Sequence, residues 1–166
     1  MKIKNFLRTL PFLFLLPLIG LLFSASPAQT DNYEWLRPRL EATQAFTIEV
    51  FEAMPAEDYD FKANEDQRSF AEQAYHIVYT IDYFERIFAN GGNAAWEPGD
   101  ENSLTKAELI AWAQEKYASI NRWILEQPNN DQLTAGIISY LDHNSHHRGQ
   151  MITYLRMNGI SPPSYR

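Results

Sequence analysis

The chain has 166 residues and a formal net charge of −7, with 45% hydrophobic and 14% aromatic residues. This length and composition predict one globular domain with a sizeable core. The negative charge argues against general binding to nucleic acid or to anionic lipid. The sequence has no cysteine, which excludes disulfides, thiolate metal ligands, a cysteine nucleophile and a lipobox anchor.

The N-terminal segment has the pattern of a secretory signal peptide. A basic start ends at Arg8, residues 10–23 are mostly apolar, and the small residues Ser26 and Ala28 stand where a signal peptidase would need them. We therefore predict that residues 1–28 are removed and that the protein is exported, to a periplasmic or extracellular location. The alternative is an uncleaved membrane anchor, but the apolar run is short for a span of roughly 20 residues.

Four segments are predicted to be helices, because their apolar residues recur with the 3.6-residue helical period. Their approximate ranges are 33–54, 69–90, 105–127 and 133–158. The second and third segments begin with capping boxes, Ser69 with Glu72 and Thr105 with Glu108. No stretch alternates with the period of a strand, so the expected fold is an all-α four-helix bundle. The long connection at residues 91–103 is expected to form part of a pocket rim.

Three of the four histidines lie close together in the fourth predicted helix. At about 100° per residue, His143 and His147 lie together at the edge of the apolar face, whereas His146 lies almost opposite and is predicted to be a solvated surface residue. A histidine pair at this spacing can chelate one divalent metal ion. Equally, both residues could be core-edge histidines bonded to the backbone or to Tyr140 and Tyr154.

The remaining histidine, His76, lies at the edge of the apolar face of the second helix. Taken alone, it is better explained as a core histidine than as a ligand. If the bundle joins it to His143 and His147, three imidazoles would leave a coordination position open, as in a catalytic metal site. Next to the pair, Gly149 suggests close packing against a neighbouring helix, and Gln150 is either a surface residue or a hydrogen-bonding neighbour of the site.

Several separate motifs resemble the DinB superfamily. His143-x-x-x-His147-Arg148-Gly149-Gln150, followed by residues 154–156 (YLR) and by Gly159-x-x-Pro162-Pro163, is similar to the C-terminal signature of that superfamily. Residues 54–62 (MPAEDYDFK) resemble the segment after its first helix. Residues 68–76 resemble the start of its second helix, with the first metal histidine. The likeness extends from about residue 33 to residue 163.

The resemblance implies a DinB-like four-helix bundle over residues 29–166, arranged up-down-down-up. It also implies a divalent metal ion held by His76, His143 and His147. Zinc and nickel are the leading candidates, and iron and manganese come next. Superfamily members with assigned chemistry are bacillithiol and mycothiol S-transferases and maleylpyruvate isomerase, in which the metal activates a thiol. Small bundles of this kind are commonly homodimers, so a homodimer is a further expectation.

The function expected from these features is that of a metal-dependent enzyme, a hydrolase or a thiol S-transferase, acting on an unidentified small molecule. No catalytic residue is identified, because Glu72 and Asp142 are both weakly placed as general bases. Export argues against thiol transfer, since those thiol cofactors are cytoplasmic. The alternatives are a non-catalytic metal-binding bundle, or a partner-binding bundle whose docking surface is the acidic loop around Trp96 and Glu101.

Overall fold

The structure is a computed structural model that describes residues 31–165. In this range the chain forms four helices, α1 (Arg37–Ala53), α2 (Phe70–Ala89), α3 (Lys106–Glu126) and α4 (Asp131–Met157), with short 3₁₀ turns at Glu34–Leu36 and Ala56–Asp58. These residues contain no strand, only an isolated bridge between Asn32 and Pro128. The all-α prediction is therefore confirmed, whereas the predicted signal peptide at residues 1–28 lies outside the described residues.

The helices begin where side chains can cap their free backbone N–H groups. Both predicted capping boxes are present, with Ser69 and Thr105 as the N-cap residues of α2 and α3. The fourth helix begins earlier than residue 133, where the sequence placed it. The side chain of Asn130 accepts a hydrogen bond from the Leu133 backbone at 2.9 Å and thereby starts α4 at Asp131.

Contacts between side chains define how the helices run. Helix α2 packs antiparallel to α4 and parallel to α3, and α1 packs parallel to α4. Along the chain the four helices therefore run up, down, down and up. Between α2 and α4 the contacts are Gln73 with Gln150 and Phe84 with Tyr140. Between α2 and α3 they are Tyr75 with Trp112 and Phe88 with Trp123. Between α1 and α4 they are Thr47 with Arg148 and Met54 with Asn158.

The connection between α2 and α3 explains why these consecutive helices are parallel. After Gly91 and Gly92, which have φ angles of 64° and 101°, residues 91–104 run back along α2 towards its start. We call residues 91–104 the return segment. The Tyr79 hydroxyl accepts a hydrogen bond from the Glu97 backbone N–H at 2.6 Å, and the Tyr75 hydroxyl donates to the Pro98 carbonyl at 2.5 Å. The return segment is thus fastened to α2.

The apolar stripes predicted from the sequence form the core. Every residue of the stripe predicted for the first helix is buried, and so are most residues of the other three stripes. No helix among residues 31–165 is long and apolar enough to cross a membrane. The buried residues of the first stripe are Leu36, Leu40, Thr43, Thr47, Val50 and Met54.

Candidate metal centre

The antiparallel pairing of α2 and α4 brings three of the four histidines together. One ring nitrogen from each of His76, His143 and His147 can be chosen so that all three atoms lie within 4.8 Å of one another. The Nε2 atoms of His76 and His143 are 3.2 Å apart, and the ring centroid of His147 is 4.4 Å from each of the other two. His146 is exposed, as predicted, and its Nε2 lies 3.2 Å from Nε2 of Gln150.

The ring of His147 is oriented by two glutamines. Its Nδ1 lies 2.9 Å from Oε1 of Gln73 and 3.1 Å from Oε1 of Gln150. The Gln73 side-chain N–H also donates to Gln150 Oε1 at 2.9 Å. This contact agrees with an orientation of both amide groups in which their oxygen atoms face Nδ1 of His147. Because an amide oxygen can only accept, Nδ1 carries the proton, and Nε2 keeps the lone pair that a metal would need.

The other two imidazoles carry atoms that protein groups leave unsatisfied. Nδ1 of His76 and Nδ1 of His143 are buried and have no hydrogen-bond partner. Their Nε2 atoms face each other at 3.2 Å. Nitrogen ligands about 2.1 Å from a tetrahedral zinc ion lie roughly 3.4 Å apart, so this spacing fits two ligands of one metal ion. The donor set therefore fits the divalent metal that the resemblance implies.

Burial keeps the imidazoles in the neutral form that metals bind. Desolvation is the main cause that lowers the pKa of His76 to about 3 and of His143 to about 4, and neighbouring imidazoles and Arg68 lower both further. Desolvation also lowers the pKa of His147. At neutral pH the centre therefore presents three uncharged nitrogen donors, and it needs no loss of protons before a metal can bind.

The centre opens onto a polar groove on the His147 side. This groove has a volume of about 510 Å³ and mixes both signs of charge with amide groups. On the other side, the Trp96 ring lies edge-on to His76, with 5.9 Å between ring centroids. A small polar molecule would therefore reach the centre past His147. The groove is lined by Lys62, Glu65, Asp66, Gln67, Arg68, Glu72, Gln73, Glu101, His147 and Gln150.

Neither acidic residue weighed as a general base is well placed for that role. The Glu72 carboxylate accepts from the Ser69 backbone at 2.6 Å and from the Asn102 amide at 3.2 Å. The Ser69 hydrogen bond is the main cause that lowers the pKa of Glu72, so this carboxylate is a poor proton acceptor. Asp142 lies at an exposed position of α4.

The sequence did not identify two residues of the site, Gln73 and Glu101. Gln73 lies three residues before His76 on the same helix, so helical spacing could have revealed it. Glu101 was interpreted as part of an acidic docking surface. The return segment instead places its Oε1 3.9 Å from Nδ1 of His76, and its Oε2 accepts from Nε of Arg68 at 2.8 Å. No local pattern signals a contact made through such a connection.

The residues that follow His147 have separate roles. Arg148 is buried towards α1, where Nη1 donates to the Thr47 hydroxyl at 3.0 Å and the guanidinium lies 4.8 Å from the centre of the Phe46 ring. Gly149 is exposed, and a Cβ there would meet nothing within 4 Å, so the predicted close packing at Gly149 is wrong. Gln150 lies beside the site, which was one of its two predicted positions.

The fold and the site together define a four-helix bundle with a three-histidine cluster, and comparison with known proteins agrees with this class. The DinB family model matches residues 30–166, so the chain belongs to the DinB family. It is similar in fold to the crystal structure of a DinB-like protein from Bacillus cereus, with a TM-score of 0.59 and 16% identity, covering 83% of this chain and 100% of that one. No curated protein matches the chain significantly.

Proposed function

We propose that this protein binds one divalent metal ion through His76, His143 and His147. We further propose that it is an enzyme of the hydrolase or S-transferase type, whose activity depends on this metal. The observation that supports the proposal is the cluster itself, in which three neutral imidazoles converge at the edge of an open groove. Imidazole donors suit zinc, nickel and iron, of which zinc and nickel are the leading candidates, whereas manganese prefers oxygen donors and is a weaker candidate.

Each part of the site has a role in this proposal. A bound metal would act as a Lewis acid and would lower the pKa of a bound water or thiol, which makes it a nucleophile near neutral pH. Gln73 and Gln150 hold the His147 ring in the orientation that leaves Nε2 free. The groove would bind and orient an unidentified small-molecule substrate through its charged and amide groups.

A non-catalytic metal-binding role is the second candidate, and one observation favours it. The carboxylates of Glu72 and Glu101 beside the centre are already paired, the first in its capping box and the second with Arg68. Neither of these two carboxylates is therefore free to act as a general acid or base. The two candidates differ in whether the bound metal carries exchangeable water, because a catalytic centre keeps an open position and a structural one does not.

Cellular location bears on the choice of reaction. The proposal places the mature protein, residues 29–166, in the periplasm or outside the cell, because of the signal-peptide pattern at residues 1–28. An exported protein would not meet a cytoplasmic thiol cofactor, so activated water is the preferred nucleophile there. A homodimer also remains a proposal, which the molar mass in solution would test.

Elemental analysis is the experiment that tests metal binding most directly. The protein is purified without chelator or affinity histidines, beside His147→Ala and the matched control His146→Ala from the same helix. We expect about one metal ion per chain in the wild type and in His146→Ala, and none in His147→Ala. The identified metal then directs a substrate screen with ester, amide and thiol probes.

Two results would contradict the proposal. One is a wild-type protein that contains no metal and gains no thermal stability when zinc, nickel, manganese or iron is added. The other is metal that stays bound in His147→Ala, since the site would then lie elsewhere. If metal binds without exchangeable water and without turnover of any probe, the non-catalytic alternative replaces the enzyme.

A further inference from the structure

We propose that Glu101 is a positioning residue of the metal centre, which accepts a hydrogen bond from Nδ1 of His76 when Nε2 of that residue binds the metal. The inference rests on the proposed metal-binding function. It gives the return segment a role that the sequence did not suggest, because Glu101 comes from a connection and not from a helix of the bundle.

The first observation is an unsatisfied atom. Nδ1 of His76 is buried and has no hydrogen-bond partner, and Oε1 of Glu101 lies 3.9 Å from it. That distance exceeds the 2.7–3.2 Å of a formed N–H···O bond by about 1 Å, which a small side-chain adjustment can close. An imidazole that binds a metal through Nε2 carries its proton on Nδ1, and such a proton is usually donated to a carboxylate, carbonyl or water.

The second observation is that Glu101 is itself held in place. Its Oε2 accepts from Nε of Arg68 at 2.8 Å, which leaves Oε1 on the side of His76. Next to it, the Asn102 amide donates to Glu72 at 3.2 Å, so the end of the return segment is tied to the first turn of α2. One contact thus holds the carboxylate and a second holds the segment that carries it, and neither contact involves His76.

The third observation concerns water. The side chain of Glu101 is 20% exposed and that of His76 is 10% exposed. The Trp96 ring from the same return segment covers His76, and it also packs edge-on against Tyr79 with 4.8 Å between ring centroids. Little room remains for water to satisfy Nδ1 of His76, so a carboxylate acceptor there should matter more than it would at a solvated histidine.

The Nδ1–H groups of the three histidines would therefore have different hydrogen-bond acceptors. His147 donates to amide oxygens, His76 would donate to a carboxylate, and Nδ1 of His143 has no partner among the described residues. A carboxylate acceptor raises the basicity of the imidazole that donates to it more than a neutral amide does. We accordingly expect the hydrogen bond from Nδ1 of His76 to contribute more to metal affinity than the hydrogen bonds of the other two ligands.

The test measures zinc affinity by competition with a chromophoric chelator, in the full protein and in variants of the return segment. Glu101→Ala should weaken zinc binding by about 10- to 100-fold, the usual range for the loss of such a support. Glu101→Gln keeps an acceptor oxygen and should recover part of the affinity. Glu97→Ala is the matched control, because it removes the same charge from an exposed position of the same segment and should change affinity less than about threefold.

A second readout reports on the hydrogen bond itself. In the zinc-loaded wild type, ¹⁵N-edited NMR of the imidazoles should show a downfield His76 Nδ1–H proton that exchanges slowly with water. This resonance should shift in Glu101→Gln and broaden or vanish in Glu101→Ala. It should stay unchanged in Glu97→Ala. Circular dichroism of each metal-free variant verifies that the fold is retained.

The outcomes separate this inference from the proposed function. If the wild type binds zinc, His147→Ala does not, and Glu101→Ala binds as tightly as Glu97→Ala, the metal centre stands and the role of Glu101 is refuted. If the wild type binds none of the metals tested, the proposed function fails and the role of Glu101 fails with it. A loss of affinity in Glu101→Ala together with loss of the His76 proton supports the inference.

Discussion

The interface between α2 and α4 has two halves that are built from different side chains. In one half the start of α2 faces the end of α4, with Gln73 and His76 opposite His143 and His147. In the other half aromatic rings pack together, with Phe84 between Tyr140 and Phe88. The same two helices in the same antiparallel pairing therefore make a polar site at one end and an apolar contact at the other.

The two halves affect the stability of the bundle in opposite directions. A buried polar atom without a partner costs about 1–3 kcal/mol, and the polar half contains two such atoms, Nδ1 of His76 and Nδ1 of His143. The aromatic half contains one such atom, the hydroxyl oxygen of Tyr140, and gains stability from burial and ring contacts. We infer that the aromatic half and the core below it hold the helices together, so that the polar half can keep a geometry suited to a metal.

Replacement of His76 by leucine should have the largest effect, because it removes the main chemical difference between the two halves. The variant His76→Leu removes one ligand and one unsatisfied buried atom, so the polar half comes to resemble the apolar half. Zinc at about 100 times its dissociation constant should stabilise the wild type by about 2.7 kcal/mol and should not stabilise this variant. The metal-free variant should be more stable than the metal-free wild type by about 1 kcal/mol. Urea unfolding with and without zinc measures both effects.

His146→Leu is the control for this prediction, because it makes the same replacement at an exposed position of α4. It should keep the zinc-dependent gain in stability. An equal gain from zinc in His76→Leu would show that His76 is no ligand. A metal-free His76→Leu that is less stable than the wild type would show that the imidazole is well accommodated without metal.

The metal-free protein should lose stability as the pH falls below about 6.5. The unfolded chain takes up protons on histidine near that pH, whereas burial lowers the folded-state pKa of His76 to about 3 and of His143 to about 4. Between about pH 6.5 and 4 the unfolded state therefore binds more protons, and each histidine can cost up to about 1.4 kcal/mol per pH unit. Urea unfolding at pH 7.0, 6.0 and 5.0 measures the slope.

The same measurement on His76→Leu sharpens this prediction. That variant should lose less stability between pH 6.5 and 5.0 than the wild type does, because one of the two strongly shifted groups is gone. The chosen range stays above the region in which most carboxylates titrate. Equal slopes in the two proteins would mean that His76 is not held neutral by its surroundings.

The sequence predicted the helices, their buried stripes and the cluster of three histidines. It did not predict the residues that hydrogen-bond to the histidines or lie next to them. Periodicity identified the faces of α2 and α4, because helical geometry relates residues three and four positions apart directly to a surface. It could not place Glu101, since that residue reaches His76 through a connection whose course depends on contacts with Tyr75 and Tyr79. The prediction for Gly149 was wrong because it rested on the residue type alone, whereas the helical period places position 149 away from the apolar face.

Removal of a ring from the aromatic half should lower stability and leave the metal centre intact. Phe88 stacks on Trp123 with 5.8 Å between ring centroids, and it is half-buried. Full burial would make Phe→Ala cost about 3–5 kcal/mol, so at this position we expect about 2 kcal/mol. Urea unfolding of metal-free Phe88→Ala measures the loss. Zinc affinity should match that of the wild type, and a large loss of affinity would show that the two halves are coupled.

Two glycines of α4 allow the finest comparison, because Gly136 packs in the aromatic half whereas Gly149 lies on the exposed face of the helix beside the polar half. At Gly149 an added Cβ meets nothing within 4 Å, whereas at Gly136 it would lie 2.8 Å from Cε1 of Phe88. Alanine is favoured over glycine in a helix by about 0.8–1.0 kcal/mol. Gly149→Ala should therefore raise the free energy of unfolding by about 0.5–1 kcal/mol and leave zinc affinity unchanged.

Gly136→Ala should not show this gain, because the Phe88 ring would have to move to admit the new methyl group and would disturb its stacking on Trp123. We expect its stability to equal that of the wild type or to fall below it. In the Phe88→Ala background the ring is absent, so there Gly136→Ala should recover the helical gain. Equal stabilisation by the two glycine replacements in the wild-type background would mean that the aromatic half has room to spare and packs less closely than the contact with Phe88 indicates.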